Sequence, residues 1–202
     1  MSYDNQARNA VLAAVQANQP SSLPMPKIPR SSPTPSADLV ENFGKGLTRM
    51  AGSIISETIP DLDKFIRGRF PDAKVICSTV PECTGTIRPE DLTQWSGAAN
   101  IDVSVVRTPL GVAETGSVLL SDLELRVNTI AFLSHDIVVL LDPRHIVPNI
   151  HDAYEHPHFA TRPYCVLMTG PSGSADIGGI TVHPAQGVKT LTVILKAEQQ
   201  TN

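Results

Sequence analysis

The sequence predicts an α/β sandwich built on a mainly parallel sheet, and two observations carry that reading. Segments with apolar residues at helical spacing alternate with short β-branched runs, the pattern of a sheet covered by helices. The chain's 202 residues suit one α/β domain, large enough to bury a core without disulfides or structural metal.

The elements follow in order. Tyr3 to Asn18 reads as a short helix with Ala10, Val11, Ala14 and Val15 toward one side, ended by Pro20. Residues 20–36 carry Pro20, Pro24, Pro26, Pro29, Pro33 and Pro35, spacing that favours extended backbone and defeats helix and sheet. This gives three parts: a helical arm over 1–19, a Pro/Ser-rich linker over 20–36, and an α/β domain over 37–202. Within the domain, Asp38 to Ala51 is a helix on Leu39, Phe43, Leu47 and Met50, with Gly52 as its stop. Ser53 to Ser56 is a first strand, Asp61 to Arg69 a helix, Lys74 to Cys77 a strand, and Pro89 to Trp95 contains a helical turn. Ile101 to Arg107 is a strand. Val112 to Ala113 and Ser117 to Leu120 flank a turn at Glu114, and Ile137 to Leu141 is a buried strand closed by Asp142-Pro143. Pro148 opens a helix running to about Glu155, and Tyr164 to Met168 and Leu191 to Leu195 are further core strands.

Composition narrows the function. Sixteen basic against twenty acidic residues give a net charge of -4, with no basic block to hold nucleic acid. The three cysteines, Cys77, Cys83 and Cys165, form neither a disulfide framework nor a CxxC or four-cysteine ligand set. They read as reduced thiols. The first residues lack a signal-peptide pattern, and the longest apolar run, Ile137 to Leu141, is too short to span a bilayer. The expectation is a cytoplasmic protein with no membrane insertion and no metal of its own.

Two turns concentrate the chemistry. Gly170-Pro171-Ser172-Gly173-Ser174 with Asp176 follows the Tyr164 to Met168 strand, where open α/β folds place ligands. Its backbone N–H groups, hydroxyls and carboxylate suit an anionic small molecule, above all if a helix begins at Ser174. The alternative is a helix cap, with Ser172 or Ser174 capping and Asp176 complementing the dipole. The P-loop, GxGxxG and GxSxG patterns do not fit. The second turn is Glu114-Thr115-Gly116-Ser117, whose carboxylate is either a pocket base, nucleophile or anchor, or an ordinary turn residue. His151 and His156 are five apart and not four, and Pro157 breaks the helix before His158, so the three do not suit a helical metal pair and read as a solvated polar helix end. His183 stands close in sequence to the Gly170 turn.

Three stretches resemble the LUD-domain family, the LutC/YkgG group of lactate-utilization proteins. Ala113 to Ser117 resembles its AETG(T/S) turn, Ile146 to Ile150 the segment after its central strand, and Thr169 to Ile177 its TGPSxxADI motif. The resemblance covers roughly residues 38–196. It implies a three-layer Rossmann-like sandwich similar to the NagB/RpiA/CoA-transferase-like fold. It implies a subunit supporting L-lactate oxidation to pyruvate beside iron–sulfur partner proteins, which would carry the clusters. Glu114 and Asp176 would then be the catalytic carboxylates. Thr115, Gly116, Ser117, Gly170, Pro171, Ser172, Gly173 and Ser174 would bind ligand. A stand-alone CoA-type transferase or hydrolase with Glu114 as nucleophile, or a small-molecule-binding assembly module, is compatible with the same fold. The chain departs from the family pattern at Gly173, where Arg is frequent, at Gly178, where Glu is frequent, and around Ala185-Gln186-Gly187.

Overall fold

The computed structural model describes residues 5–20, 38–176 and 178–197. The chain divides into two compact units, residues 1–34 and 35–202. In the first, helix α1 spans Asn5–Ala17 and every residue of it is exposed. The Pro/Ser-rich linker lies outside the described residues apart from Pro20.

In the second unit, helix α2 (Leu39–Arg49) starts where the Asp38 carboxylate accepts the Glu41 N–H at 2.8 Å, and it buries Phe43, Gly46 and Leu47. Met50, assigned inward by periodicity, lies past the last turn and is exposed. The helix ends with the Gly52 N–H on the Leu47 carbonyl and the Ala51 N–H on the Thr48 carbonyl, a Schellman arrangement. The left-handed position falls on Ala51 (φ 62°) and not on Gly52. Gly52 is needed for room, since a Cβ there would overlap the Leu47 side chain.

Five strands form a fully parallel sheet in the order β1-β9-β6-β3-β2: β1 Ser53–Ile55, β2 Ile76–Ser78, β3 Val103–Thr108, β6 Asp136–Leu141 and β9 Thr190–Leu195. Helix α3 (Leu62–Arg69) lies between β1 and β2 in sequence and packs Leu62 and Ile66 with Val103, Val105, Val138, Leu140 and Ile194 on one face. The opposite face, with Val106, Ile137, Val139, Leu191 and Val193, packs against Phe43 and Leu47 of α2 and against a second sheet. Burial on both faces is what near-continuous β-branched strands require.

The second sheet was not anticipated. Its order is β7-β4-β5-β8: β4 Gly111–Val112, β5 Ser117–Ser121, β7 Ile146–Val147 and β8 Cys165–Met168. β5 runs antiparallel to β4 and β8, and β7 is parallel to β4. The run at Tyr164 to Met168, expected as a core strand, is therefore the half-buried edge strand β8 of a mixed sheet. Helices α4 (Asp122–Leu125), α5 (Ile150–Ala153) and α6 (Pro157–Thr161) flank this sheet. Pro157 begins α6 at its first turn, where its missing N–H costs nothing, so it does not merely end the preceding helix. Thus α/β character, a dominant parallel sheet and helical layers stand, with the motifs gathered on an added mixed sheet.

Candidate functional site

The three motif stretches, far apart in sequence, meet on the second sheet. Between β4 and β5 the chain turns through Ala113 to Gly116, closed by the Gly116 N–H on the Val112 carbonyl at 2.8 Å. The Ala113 and Glu114 N–H groups donate to the Val147 and Pro148 carbonyls at 2.9 and 3.1 Å, which joins the first stretch to the second. Ser117 joins it to the third. Its hydroxyl is 2.6 Å from that of Thr115 and also hydrogen-bonds the Thr169 hydroxyl, so three hydroxyls form a chain across the β5–β8 pair.

Both signature glycines are seats for helix α2. Gly116 (φ 72°) and Gly170 (φ 67°) hold left-handed backbone that suits glycine. A Cβ on Gly116 would overlap the Leu47 backbone, and one on Gly170 would overlap the Met50 carbonyl oxygen. Gly46 on the helix completes the contact, since its Cβ would lie 2.6 Å from the Gly116 nitrogen. Sequence reading missed Gly46. The signal was available, because a glycine inside a helical pattern marks close backbone approach.

Glu114 is exposed, and its carboxylate accepts the Ile150 N–H at 3.2 Å, capping α5. Asp176 is exposed as well, and its N–H donates to the Ser174 hydroxyl at 3.3 Å. No helix begins at Ser174, so the expected cap or anion-binding helix terminus is not formed. The described residues from Ser172 to Val188 instead fold back on themselves. Ser174 and Val182 exchange backbone hydrogen bonds at 3.2 and 2.8 Å, and the Ser172 N–H donates to the Val188 carbonyl at 2.9 Å. The Ser172 hydroxyl donates to the Gln186 carbonyl and accepts the Gln186 N–H at 3.1 Å. The His183 ring rests on Gly173, with Nδ1 donating to the Ser172 carbonyl at 3.1 Å. A Cβ on Gly173 would lie 2.8 Å from that nitrogen, which accounts for glycine at this position.

A cleft of about 260 Å³ opens here, lined by Phe132, by Val166 to Ser172, and by Gln186, Gly187 and Val188. Gly170, Pro171 and Ser172 line it; Glu114, Gly173, Ser174 and Asp176 do not. None of the lining side chains is charged. Phe132 and Val188 were not foreseen, since they come from segments that carry no motif.

Elsewhere, His151 is exposed on α5 as expected, but His156 and His158 are not a solvated helix end. His158 lies 2.9 Å from Glu124 with its side chain 16% exposed, and its ring meets that of His156 at 4.5 Å. Burial, then the neighbouring His158, push the His156 pKa down. Among the described residues no three His, Cys, Asp or Glu side chains are placed to hold a metal ion. Cys77 and Cys83 are buried, which pushes both thiols up to about 11, and Cys165 is half-buried. No helix among the described residues is long and apolar enough to cross a membrane.

Fold and site together define a small α/β protein whose signature turns converge beside a mixed sheet. A family model described as the LUD domain matches residues 83–195, more than half of the chain, and the chain belongs to that family. Membership points to a role related to lactate utilization. Among solved structures, a DUF162 family protein from Deinococcus radiodurans superposes with a TM-score of 0.60 at 14% identity. The match covers 79% of this chain and 96% of that one, and it shows a shared fold. Curated proteins give no match.

Proposed function

We propose that this chain is a LutC/YkgG-type subunit of a lactate-utilization system, supporting L-lactate oxidation to pyruvate together with iron–sulfur partner proteins. The observation that supports this reading is the convergence of the three family-like stretches through backbone bonds and the Thr115–Ser117–Thr169 hydroxyl chain. Oxidation of lactate releases two electrons and two protons. In this reading clusters held by the partner proteins would accept the electrons and solvent the protons, and the present chain supplies structure and ligand contacts. Ser172, with the backbone of Thr169 to Ser172, forms the ligand-facing wall. Glu114 acts first through the turn and helix it ties together, which favours this reading over Glu114 as a covalent nucleophile. Asp176 is the second carboxylate whose removal tests the site.

The test is growth of a deletion strain on L-lactate as sole carbon source, complemented with wild type, Glu114→Ala or Asp176→Asn. The expected result is lost growth that wild type restores and Glu114→Ala, which removes the acceptor for the Ile150 N–H, restores poorly. Undiminished growth of the deletion strain overturns the lactate role. Full rescue by both variants removes the two carboxylates from the site.

A further inference from the structure

The cleft beside β8 carries chemistry that the motif residues do not explain. Leu119 of β5 spends both backbone groups on the β4 side: its N–H donates to the Leu110 carbonyl at 2.9 Å, and its carbonyl accepts the Thr108 hydroxyl at 2.6 Å. Antiparallel ladders alternate, so the bonds to β8 belong to the pairs Val118–Met168 and Leu120–Val166. Leu167, opposite Leu119, therefore turns its N–H and C=O off the edge of the sheet. Among the described residues no hydrogen bond from another element reaches either group.

Leu167 nevertheless lines the cleft. Its side chain packs on the other side of the sheet, with Leu110, Val112 and Leu119, so its backbone is what the cleft meets. Val166, Met168, Phe132 and Val188 supply apolar walls. We infer that this cleft binds an uncharged secondary amide the size of one capped amino acid, read by the outward N–H and C=O of Leu167.

The chemistry follows from the pairing rules. A residue that presents both groups outward is complemented by the C=O and N–H of one other residue, as in a hydrogen-bonded ladder pair. A free carboxylate would gain one donor, face the Leu167 carbonyl, and meet no cationic side chain in the lining. The size limit comes from the far wall. Gln186 to Val188 is pinned to Ser172 at both ends, and the Lys189 N–H to the His135 carbonyl, so the slot of about 260 Å³ is closed to a long strand. The lactate reading uses the Ser172 wall of this same cleft, so the two readings compete for it, and the titration, which contains no growth phenotype, separates them.

The experiment is a titration of the ¹⁵N-labelled full chain with N-acetyl-leucine N-methylamide, followed by amide shifts. Saturable shifts are expected to be largest at Leu167, Met168 and Gly187, with millimolar affinity for so small a ligand. The same probe methylated on both amide nitrogens cannot donate and is expected to bind about tenfold more weakly. Leu167→Pro deletes the outward N–H, which an edge strand tolerates, together with the side chain packed on the far side of the sheet. Leu167→Ala, which keeps the N–H, is its control, and the proline variant is expected to weaken the unmodified probe by about tenfold relative to that control. If that variant does not fold, the methylated probe on wild type carries the test alone. Absence of saturable shifts, or equal binding of the methylated probe, overturns the inference. A capped tetrapeptide binding about tenfold tighter than the single residue also overturns it, by showing a strand-binding groove. L-lactate saturating the same resonances overturns the exclusion of anions.

Discussion

The two sheets of this molecule differ in what their strands are for. In the parallel sheet, β3 and β6 are buried along nearly their whole length, and small polar side chains of the sheet find partners inside the domain. Ser104 donates to the Ile130 carbonyl at 2.9 Å, and Ser53 and Thr192 share a hydrogen bond at 3.0 Å. None of the three family-like stretches lies on it. In the mixed sheet, β4 and β7 are two residues long, β8 is half-buried, and all three stretches gather around it. One sheet holds the domain together, and the other presents turns and an open edge. The lesson is that the signature glycines Gly116 and Gly170 mark where the second sheet is bolted to helix α2, and the cleft lies beside the second of them.

The largest expected effect breaks the bolt. Gly116→Ala forces a left-handed alanine into the Leu47 backbone, and the expected loss is about 4 kcal/mol in urea unfolding, from strain and overpacking together. A loss below about 1 kcal/mol would mean that α2 does not seat on the turn. Next comes the contrast between sheets. Leu140→Ala in the parallel sheet should cost about 3 kcal/mol, and Leu167→Ala on the half-buried edge about 1 kcal/mol. Equal losses would dissolve the distinction. Gly46→Ala separates local propensity from packing. Propensity alone forecasts a gain of about 1 kcal/mol, whereas the 2.6 Å approach to Gly116 forecasts a loss of about 2 kcal/mol.

The smallest effect concerns the entry to β3. The Asp102 carboxylate accepts the N–H groups of Val75 and Lys74 at 2.8 and 2.7 Å, and these bonds hold its pKa below the usual carboxylate value. A carboxylate with a depressed folded pKa stabilises above its unfolded value and loses that contribution as pH falls through the folded one. Asp102→Asn should therefore cost about 1 kcal/mol at neutral pH, and the gap from wild type should close below about pH 4. A constant gap down to pH 2 would assign the loss to shape and not to charge.

Much of the parallel sheet was legible because β-branched runs such as Val103 to Val106 and Ile137 to Leu141 are buried on both faces and need no partner to be recognised. Helix α2 was legible in Phe43 and Leu47 for the same reason. The mixed sheet was not. β4 and β7 are too short for a period, and β8 reads identically as a core strand or an edge. The site was legible in part. Gly170, Pro171 and Ser172 do line the cleft, while Glu114 caps α5 and Asp176 lies outside the lining. Gln186 and Val188 reach it because the chain folds back between Ser172 and Val188, held by the Ser174–Val182 and Ser172–Val188 bonds, and Phe132 comes from a segment far before the motif in the chain.

By itself the sequence determined the α/β class, the order of the main helices and the parallel strands, and the family, because each rests on local periodicity or on contiguous motifs. Only the tertiary structure decided that those motifs converge, that Gly46, Gly116 and Gly170 are contact surfaces, and that Leu167 offers its backbone to a cleft. These depend on which strand lies beside which and on how closely two backbones approach. Both are set by packing between segments that have no relation along the chain.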